Sequence, residues 1–505
     1  MATDTIEAFI TRACADHAAR PALTPDVGPA ISYAALGHTI SRIERDVRAL
    51  GIARDDRVGL VLPHQATAAA LAVALACSAV CVPLRPGMPA DELDALLPRL
   101  GLRALVLPER LADRARAAAE NRATPVLTAA ADPATGSLSL AGAPAGPPAP
   151  GRAAAPGDLC LIHLTSGVTG GPKLVPRTQR NAIGAPIFGV RRQAWDGDSR
   201  ALLPIPLSHL FGMKFLLSTL VLGVELILPS DLSPAALLAC AGRHRPACIP
   251  MSPALLSAVL SALPEGRSNP GGALRAIMIG SAASDSALLA AAAARLDARL
   301  IHTYGSSESG LVSIDLPGQP SRPGASGVAV AEVRIVGSAG EDLPPGEEGE
   351  ILARGPEVFP GYLDDPAATA DAFAPGGWFR TGDAGRLDPD GYLFVTGRLD
   401  DRINRGGQKV DPREVEAVLL AHPAIAECAV FAVRHPSLGA EVAAAIVLAP
   451  GASLDAAAVR RWTLDRLSRH MTPRRIAFVD DLPRTPTGKI RRAALPDLLE
   501  AEPRR

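Results

Sequence analysis

The sequence predicts an α/β protein that carries a second, smaller α+β domain at its C-terminal end. Before about Pro317, short apolar runs alternate with Ala- and Leu-rich helical stretches. After that residue the chain changes to short strands joined by Gly, Asp and Pro turns, and a compact α+β pattern begins at about Asp401. Apolar runs between helices are typical of parallel sheets covered on both faces, whereas strands joined by tight turns indicate antiparallel pairing.

The alternating series begins with "RVGLVLP" at 57–63, which predicts a buried strand. A helix is predicted for "QATAAALAVALACSA" at 65–79 and the next strand for "VCVPL" at 80–84. The stretch from Thr128 to Gly157 is rich in Ala, Pro and Gly, and it predicts a flexible linker or surface loop. Five further apolar runs continue the strand series: "RALVLP", "LCLIHLTSG", "VELILP", "RAIMIGS" and "RLIHTYG".

Antiparallel strands are predicted for "AEVRIVGSAGEDLPPGEEGEILARG" at 331–355 and "GRLDPDGYLFVTGR" at 385–398. The α+β segment that follows is predicted to hold two helices, "PREVEAVLLAH" and "LDAAAVRRWTLDRL", and two strands, "ECAVFAV" and "VAAAIVLA".

Composition and charge exclude several classes of function. Hydrophobic residues make up 48% and charged residues 20% of the 505 residues, and the net charge of −1 predicts no nucleic-acid partner. The N-terminus lacks the features of a signal peptide, and the longest apolar segment, Phe215 to Pro229, is shorter than the ~20 residues of a membrane span. The seven cysteines form no CxxC pair, so neither disulfides nor a zinc site are expected. We therefore expect a cytoplasmic protein with no membrane span.

The loop "TSGVTGGPK" at 165–173 follows a buried strand and is suited to an anion. Its glycines let consecutive backbone N–H groups point into one concavity, and Lys173 adds a mobile positive charge. The GxxxxGK[ST] pattern of nucleotide hydrolases fails here, because Pro172 precedes the lysine and Leu174 follows it. By itself the loop is either a phosphate-binding loop or a plain flexible turn.

Six further segments, which follow the loop in order along the chain, favour a phosphate-binding loop over a plain turn. Together with the loop they resemble the signatures of the adenylate-forming superfamily, which includes acyl- and aryl-CoA synthetases, stand-alone adenylation domains and luciferases. The resemblance covers nearly the full chain. The segments are "LPIPLSHLFG" at 203–212, "HTYGSSESG" at 302–310, "GEILARGPEVFPGY" at 349–362, "GWFRTGD" at 377–383, "GRLDDRINRGGQKVDPREVE" at 397–416 and "PRTPTGKIRR" at 483–492.

The resemblance implies an architecture and a two-step reaction. The N-terminal domain, 1–399, would contain two doubly covered β/α sheets and a small β-barrel-like subdomain, and a mobile domain at 400–505 would follow the hinge residue Asp400. A carboxylate first attacks the α-phosphorus of ATP, giving an acyl-adenylate and pyrophosphate. A thiol then attacks the adenylate, giving a thioester and AMP. Displacement at phosphorus depends on positioning and charge stabilisation, so cations, donors and a metal ligand are the expected side chains.

The resemblance also assigns the ATP side of the site. Glu308 would bind Mg²⁺, Tyr304 would stack on adenine, and Ser307, where the family usually has Thr, would reach the α-phosphate. Asp383 and Arg398 would contact the ribose. Val168 stands where a second Thr is usual, so one hydroxyl donor is missing from the loop. The loop residues implied to hold the β- and γ-phosphates are Thr165, Ser166, Gly167, Thr169, Gly170 and Lys173, and further ATP contacts are implied for Gly280, Ser281, Gly305 and Ser306.

The C-terminal domain would serve both half-reactions by rotating. Lys489 resembles the lysine that reaches the reacting carboxylate and the α-phosphate. After rotation about Asp400, the loop with Gly406 and Gly407 would admit the thiol arm.

The acid pocket is implied to lie around His209, whose position borders the acyl group and can orient the carboxylate. Most of its residues are small or apolar, so an aryl or medium-length acyl acid is expected. Leu210 stands where aryl-acid enzymes of siderophore pathways have Asn, which disfavours a dihydroxybenzoate, and no Asp follows His209 to meet an amino acid. The other pocket residues would be Phe211, Gly280, Ser281, Ala282, Ala283, Tyr304 and Gly305.

The thiol acceptor would be CoA or the phosphopantetheine arm of a carrier protein, and the resemblance favours CoA. A non-catalytic nucleotide-binding homologue is a second possibility, against which Lys173, Glu308, Asp383 and Lys489 all argue. An oxygen-using, luciferase-type reaction is a third.

Overall fold

The computed structural model describes residues 5–88, 90–107, 124–131, 137–142, 146–165, 172–183, 199–264, 269–282, 286–316, 318–484 and 490–499. The chain divides into two compact units. Unit 1 comprises residues 1–333, 352–379 and 391–393, and unit 2 comprises 334–351, 380–390 and 394–505. The fold is α/β, with two large mixed sheets, a curled β half-barrel and a small C-terminal domain, which confirms the predicted fold class. The predicted domain boundary at Asp400 stays a prediction.

Several helices begin at side chains that cap them. Thr5 accepts a hydrogen bond from the Ala8 amide at 3.1 Å, and Ser32 and Ser252 cap the second and seventh helices in the same way. The helices of the described residues are Ile6–Asp16 (α1), Tyr33–Ala49 (α2), Ala66–Ser78 (α3), Ala90–Leu100 (α4), Leu210–Val221 (α5), Pro234–His244 (α6), Pro253–Ala262 (α7), Ser286–Leu296 (α8), Pro366–Ala372 (α9), Pro412–Leu420 (α10), Ala456–Leu464 (α11) and Leu495–Leu498 (α12).

The strands of the described residues are mostly short. They are Pro21–Pro25 (β1), Ile31–Ser32 (β2), Arg57–Val61 (β3), Val80–Leu84 (β4), Ala104–Leu107 (β5), Val126–Ala131 (β6), Leu138–Gly142 (β7), Leu159–Thr165 (β8), Lys173–Thr178 (β9), Arg200–Leu202 (β10), Glu225–Leu228 (β11), Cys248–Met251 (β12), Ala276–Ile279 (β13), Arg299–Ser306 (β14), Gly310–Ile314 (β15), Val328–Ala329 (β16), Glu332–Val336 (β17), Gly349–Arg354 (β18), Phe373–Ala374 (β19), Trp378–Leu387 (β20), Leu393–Arg398 (β21), Ile403–Arg405 (β22), Gln408–Val410 (β23), Ile425–His435 (β24), Gly439–Leu448 (β25) and Arg475–Phe478 (β26).

Unit 1 contains two large sheets with a helical layer between them. The strand order is β7-β6-β5-β3-β4-β8-β9 in one sheet and β16-β15-β14-β13-β12-β10-β11-β1-β2 in the other. Helix α3 has twelve buried residues among its thirteen and packs on strands of both sheets, which explains its almost unbroken run of Ala, Leu and Val. The predicted parallel pairing is confirmed in the centre of each sheet, but the edges are antiparallel.

The predicted linker at 128–157 is wrong in its first half. Residues 126–131 and 138–142 form the antiparallel pair β6–β7, which extends the seven-stranded sheet from β5. Residues 146–157 are irregular, as predicted. They are held by Arg48, which donates to the Ala149 carbonyl at 3.3 Å, and by the Arg152–Asp158 ion pair.

The antiparallel strands predicted after Pro317 form the half-barrel, with the order β17-β18-β20-β19 and with β21 also pairing with β20. In unit 2 the C-terminal sheet has the order β23-β22-β25-β24, with β26 parallel to β25. The predicted segments "PREVEAVLLAH" and "LDAAAVRRWTLDRL" are α10 and α11, and "ECAVFAV" and "VAAAIVLA" are the long pair β24–β25.

Two further observations concern the cysteines and the helices of the described residues. All seven cysteines are buried and none of them forms a disulfide, and burial raises the pKa of the Cys81 thiol to about 12. Within the residues that the structure describes, no helix is long and apolar enough to cross a membrane.

Candidate active site

The two ends of the glycine-rich loop lie side by side at one end of the seven-stranded sheet. Thr165 ends β8, Lys173 begins β9, and the two residues pair in antiparallel register. Residues 166–171 of the loop lie outside the described part of the chain; these include Ser166, Gly167, Val168, Thr169 and Gly170. Lys173 places its ammonium group 4.4 Å from the centre of the Tyr362 ring, a cation–π contact that holds the charge at the loop's exit.

The segment that carries Glu308 is a tight turn between β14 and β15. The Ser306 hydroxyl accepts from the amides of Glu308 and Ser309 at 3.1 and 3.0 Å, and the Ser309 hydroxyl accepts from the Ser306 amide at 2.9 Å. A Cβ at Gly305 would overlap the Gly310 carbonyl, so a glycine is needed at this close approach of the backbone. Tyr304 precedes the turn on β14 and is partly buried. The sequence "YGSSESG" therefore fixes the direction in which Glu308 leaves the sheet.

The Glu308 carboxylate is held on one side. Its Oε1 accepts from the Tyr362 hydroxyl at 3.2 Å, and its backbone carbonyl accepts from the Phe359 amide at 2.8 Å. Among the described residues no group of three His, Cys, Asp or Glu could hold a metal. A single half-buried carboxylate suits Mg²⁺, which takes one or two carboxylates and completes its shell with phosphate oxygens and water. Glu308 therefore fits a metal that arrives with a nucleotide.

A fully buried arginine holds the backbone of the Glu308 turn. Arg177 lies on β9 with none of its surface exposed, and its guanidinium donates to the carbonyl oxygens of Ser307 and Glu357. Burial lowers the pKa of Arg177 to about 10, opposed by the charges of Glu357 and Glu308, so the group stays protonated at neutral pH. The sequence did not predict a role for Arg177.

A buried ion pair lies next to it. Lys214 of α5 pairs through Nζ with Glu357 Oε2, and the two residues are 6% and 4% exposed. The same carboxylate oxygen accepts from the Leu311 amide at 2.9 Å. Sequence analysis missed both residues. The signal available was a single lysine in the apolar helix "LFGMKFLLSTLV".

The predicted acid-pocket residues lie at the start of α5 and at the end of β13. His209 is the exposed N-terminal cap residue of α5, Leu210 is buried, and the Phe211 ring lies beside Gly280. A Cβ at Gly280 would clash with the Thr303 hydroxyl, and Ser281 adopts a left-handed φ of 74°. Ala282 follows in an exposed bend, whereas Ala283 lies outside the described residues. The structure thus brings the start of α5 and Gly280 at the end of β13 together.

The predicted ribose and hinge residues come together in unit 2. Arg398 donates to Asp383 Oδ1 at 3.3 Å and to the Thr381 carbonyl at 3.1 Å, and it lies 3.9 Å from Asp400 Oδ2. Asp400 is 81% exposed in its side chain.

The predicted thiol-channel loop joins β22 to β23. Gly406 and Gly407 both have positive φ, 60° and 89°, and the Asn404 side chain accepts from the Gly407 amide at 3.0 Å. Lys489 lies outside the described residues.

Comparison with known proteins decides the family. The AMP-binding enzyme family matches residues 10–363, and the AMP-binding enzyme C-terminal domain matches residues 414–489. The chain belongs to the AMP-binding, adenylate-forming enzyme family. Within this family, its curated relatives include several acid–CoA ligases, and the chain is an enzyme of this AMP-forming acid–CoA ligase family.

The chain is 32% identical to a sulfoacetate–CoA ligase of Cupriavidus necator, with 97% of each chain covered. It is 33% identical to a feruloyl-CoA synthase of an Amycolatopsis species, with 92% of this chain and 93% of the relative covered. The structure of ATP-bound MatB from Rhodopseudomonas palustris superposes with a TM-score of 0.86 at 26% identity, covering 98% of this chain and 99% of that one. The two named ligases act on different acids, so family membership leaves the acid of this chain open.

Proposed function

We propose that this enzyme activates an aryl or medium-length acyl carboxylate with MgATP and transfers the acyl group to CoA. The observation that carries the proposal is the sequence of contacts Lys173–Tyr362–Glu308. It joins the exit of the phosphate loop to the carboxylate that fits the metal. A cation and a metal carboxylate joined through one tyrosine suit the β- and γ-phosphates of a nucleotide, because the charge that moves onto the leaving pyrophosphate then has a cation beside it.

Each remaining role of the ATP side is a proposal of the same kind. Thr165, Ser166, Gly167, Thr169 and Gly170 would complete the phosphate grip. Tyr304, Gly305, Ser306 and Ser307 would line the nucleotide along β14, with Gly280 and Ser281 beside it. Asp383 would accept from the ribose hydroxyls, because a fixed carboxylate accepts from a diol, and Arg398 holds that carboxylate in place.

The residues at the start of α5 support the proposed acid class. Leu210 and Phe211 are apolar, and Gly280, Ala282 and Ala283 are small, so this side of the site favours a flat or aliphatic group over a charged one. The feruloyl-CoA synthase relative supports an aryl acid by its name. The sulfoacetate–CoA ligase relative makes a small sulfonated acid the competing outcome.

ATP–pyrophosphate exchange across a panel of carboxylic acids tests this proposal. The panel contains benzoates and cinnamates with and without ring hydroxyls, C6–C10 fatty acids, malonate and sulfoacetate. We expect exchange with an aryl or medium acyl acid, followed by thioester formation when CoA is added. Exchange with sulfoacetate or malonate alone would overturn the acid class, thioester formation only on a carrier protein would overturn CoA, and no exchange with any acid would favour a non-catalytic nucleotide-binding homologue.

A further inference from the structure

Helix α5 and the Glu308 turn are connected by one buried carboxylate oxygen. Glu357 Oε2 pairs with the ammonium group of Lys214 and also accepts from the Leu311 amide at 2.9 Å. Lys214 lies five positions after His209 on the helix that begins the acid pocket, and Leu311 lies three positions after Glu308. The pair therefore links the proposed acid side of the site to the proposed metal carboxylate.

The segment that carries Glu357 fits closely against the turn. Gly310 has a φ of 68°, and a Cβ there would come within 2.5 Å of Glu357 Cβ, so the backbone of the turn rests directly on this residue. Two residues further on, the Phe359 amide donates to the Glu308 carbonyl at 2.8 Å. Arg177 fixes the Glu357 carbonyl from the other side. A displacement of Glu357 would consequently move the backbone on which Glu308 stands.

We infer that Lys214 and Glu357 are positioning residues for adenylate formation, which hold the Glu308 turn in register with the acid-pocket helix. This inference rests on the proposed role of Glu308 as the Mg²⁺ ligand. Two apolar side chains of similar volume could fill the same space and preserve the fold, because a buried ion pair is often replaceable in stability. Apolar side chains could not accept a hydrogen bond from the Leu311 amide, so the turn would lose the bond that fixes its position relative to Glu357.

The test separates folding from positioning with three variants. Lys214→Met leaves the Glu357 carboxylate buried without its cation, and we expect a lower thermal midpoint together with slower pyrophosphate exchange. The double variant Lys214→Met/Glu357→Met removes both charges, and we expect the midpoint to recover. Its kcat for exchange should remain about 10- to 100-fold below the wild type, as is typical when residues behind a metal ligand are changed. Glu357→Gln keeps an acceptor for the Leu311 amide, so its kcat for exchange should lie between those of the wild type and the double variant.

Two further readouts distinguish a displaced turn from a general loss of structure. The Mg²⁺ concentration for half-maximal exchange should rise in the double variant, while the KM for the acid stays near the wild-type value. Calorimetric titration with MgATP in the absence of any acid should show the same loss of Mg²⁺-dependent affinity.

A matched control is the Arg54–Glu7 ion pair, 2.9 Å apart, whose arginine is buried and also donates to the Cys77 carbonyl. Arg54→Met/Glu7→Met should change the midpoint without changing the Mg²⁺ dependence.

The inference is overturned if the double variant regains its midpoint and shows wild-type kcat and Mg²⁺ dependence. Should the double variant not fold, Glu357→Gln decides in its place, because it keeps the acceptor for Leu311 but removes the ion pair, and wild-type kinetics there would overturn the inference that the Lys214–Glu357 pair positions the turn. Failure of the proposed metal role looks different. In that case Glu308→Gln leaves the Mg²⁺ dependence of ATP binding unchanged, whatever the Lys214 and Glu357 variants do.

Discussion

Tyr362 makes two contacts that can be removed one at a time. Its hydroxyl donates to Glu308 Oε1 at 3.2 Å, and its ring lies 4.4 Å from the Lys173 ammonium group. Tyr362→Phe removes the first contact and keeps the second, whereas Tyr362→Leu removes both. The pair of variants therefore measures how much the orientation of the metal carboxylate and the placement of the loop lysine each contribute to MgATP use.

The structure sets the size of each effect. A hydrogen bond to a charged group contributes about 1.5–3 kcal/mol. Because Tyr362 and Glu308 are only partly buried and 3.2 Å is a long bond, we take about 1 kcal/mol, or about fivefold. The cation–π contact at a partly exposed site adds about 0.5–1 kcal/mol, a further two- to fivefold. We expect Tyr362→Phe to lower kcat/KM for MgATP about fivefold and Tyr362→Leu about 10- to 25-fold.

Pyrophosphate exchange at varied Mg²⁺ and ATP is the assay. The phenylalanine variant should need more Mg²⁺ and show a nearly normal response to ATP once Mg²⁺ saturates, whereas the leucine variant should be impaired in both. Tyr392 provides a matched control, because its hydroxyl donates to the Pro320 carbonyl at 2.8 Å and its ring lies under Arg322 at 4.2 Å. Tyr392→Phe should affect stability alone. Wild-type Mg²⁺ dependence in Tyr362→Phe would refute the reasoning.

Three further predictions concern other parts of the chain. Lys489→Ala should lower exchange by about 10²–10³ while calorimetric ATP binding survives, and unchanged exchange would remove its proposed role. Asp400→Pro should slow thioester formation far more than adenylate formation in single-turnover experiments, and equal losses would contradict a hinge there. Burial lowers the pKa of His163 from 6.5 to about 3. Between these two pH values His163 is therefore protonated in the unfolded chain and neutral in the folded chain. The free energy of unfolding should therefore fall by up to about 1.4 kcal/mol per pH unit between pH 6.5 and 3, and denaturant titration of His163→Asn should show a smaller slope; equal slopes would contradict this.

Local pattern was sufficient for the elements whose residues carry their own signal. Strand β3, helix α3 and strand β4 follow directly from an apolar run, an Ala- and Leu-rich stretch and a second apolar run. The hairpin β6–β7 was missed because "VLTAAA" and "LSLAG" have weak strand propensity. Their pairing depends on β5, which supplies the edge to which β6 adds. Such a strand forms because a neighbouring strand offers an edge to pair with, and the local sequence alone does not reveal that neighbour.

The site shows the same division between local and distant information. Contiguous motifs were enough to propose Thr165, Lys173 and Glu308, because the proposed phosphate loop and metal turn consist of neighbouring residues. The supporting residues were missed because their partners are far away in sequence. Lys214 and Glu357 are 143 positions apart, and Arg177 and Glu357 are 180 apart. A charge in an apolar element predicts a partner but does not say which one.

That distribution of buried charge bears on how the enzyme could change its substrate. Arg177 donates to the carbonyl oxygens of Ser307 and Glu357, and Lys214 pairs with the Glu357 carboxylate, so both buried cations hold residues on the proposed ATP side of the site. Leu210 and Phe211, at the start of α5, carry no charge and can be replaced without leaving a buried ion unpaired. Substitutions at these two positions should therefore alter the choice of acid and leave the affinity for MgATP nearly unchanged. Substitutions in the Arg177–Lys214–Glu357 group should alter MgATP use for every acid alike, because all acids meet the same nucleotide.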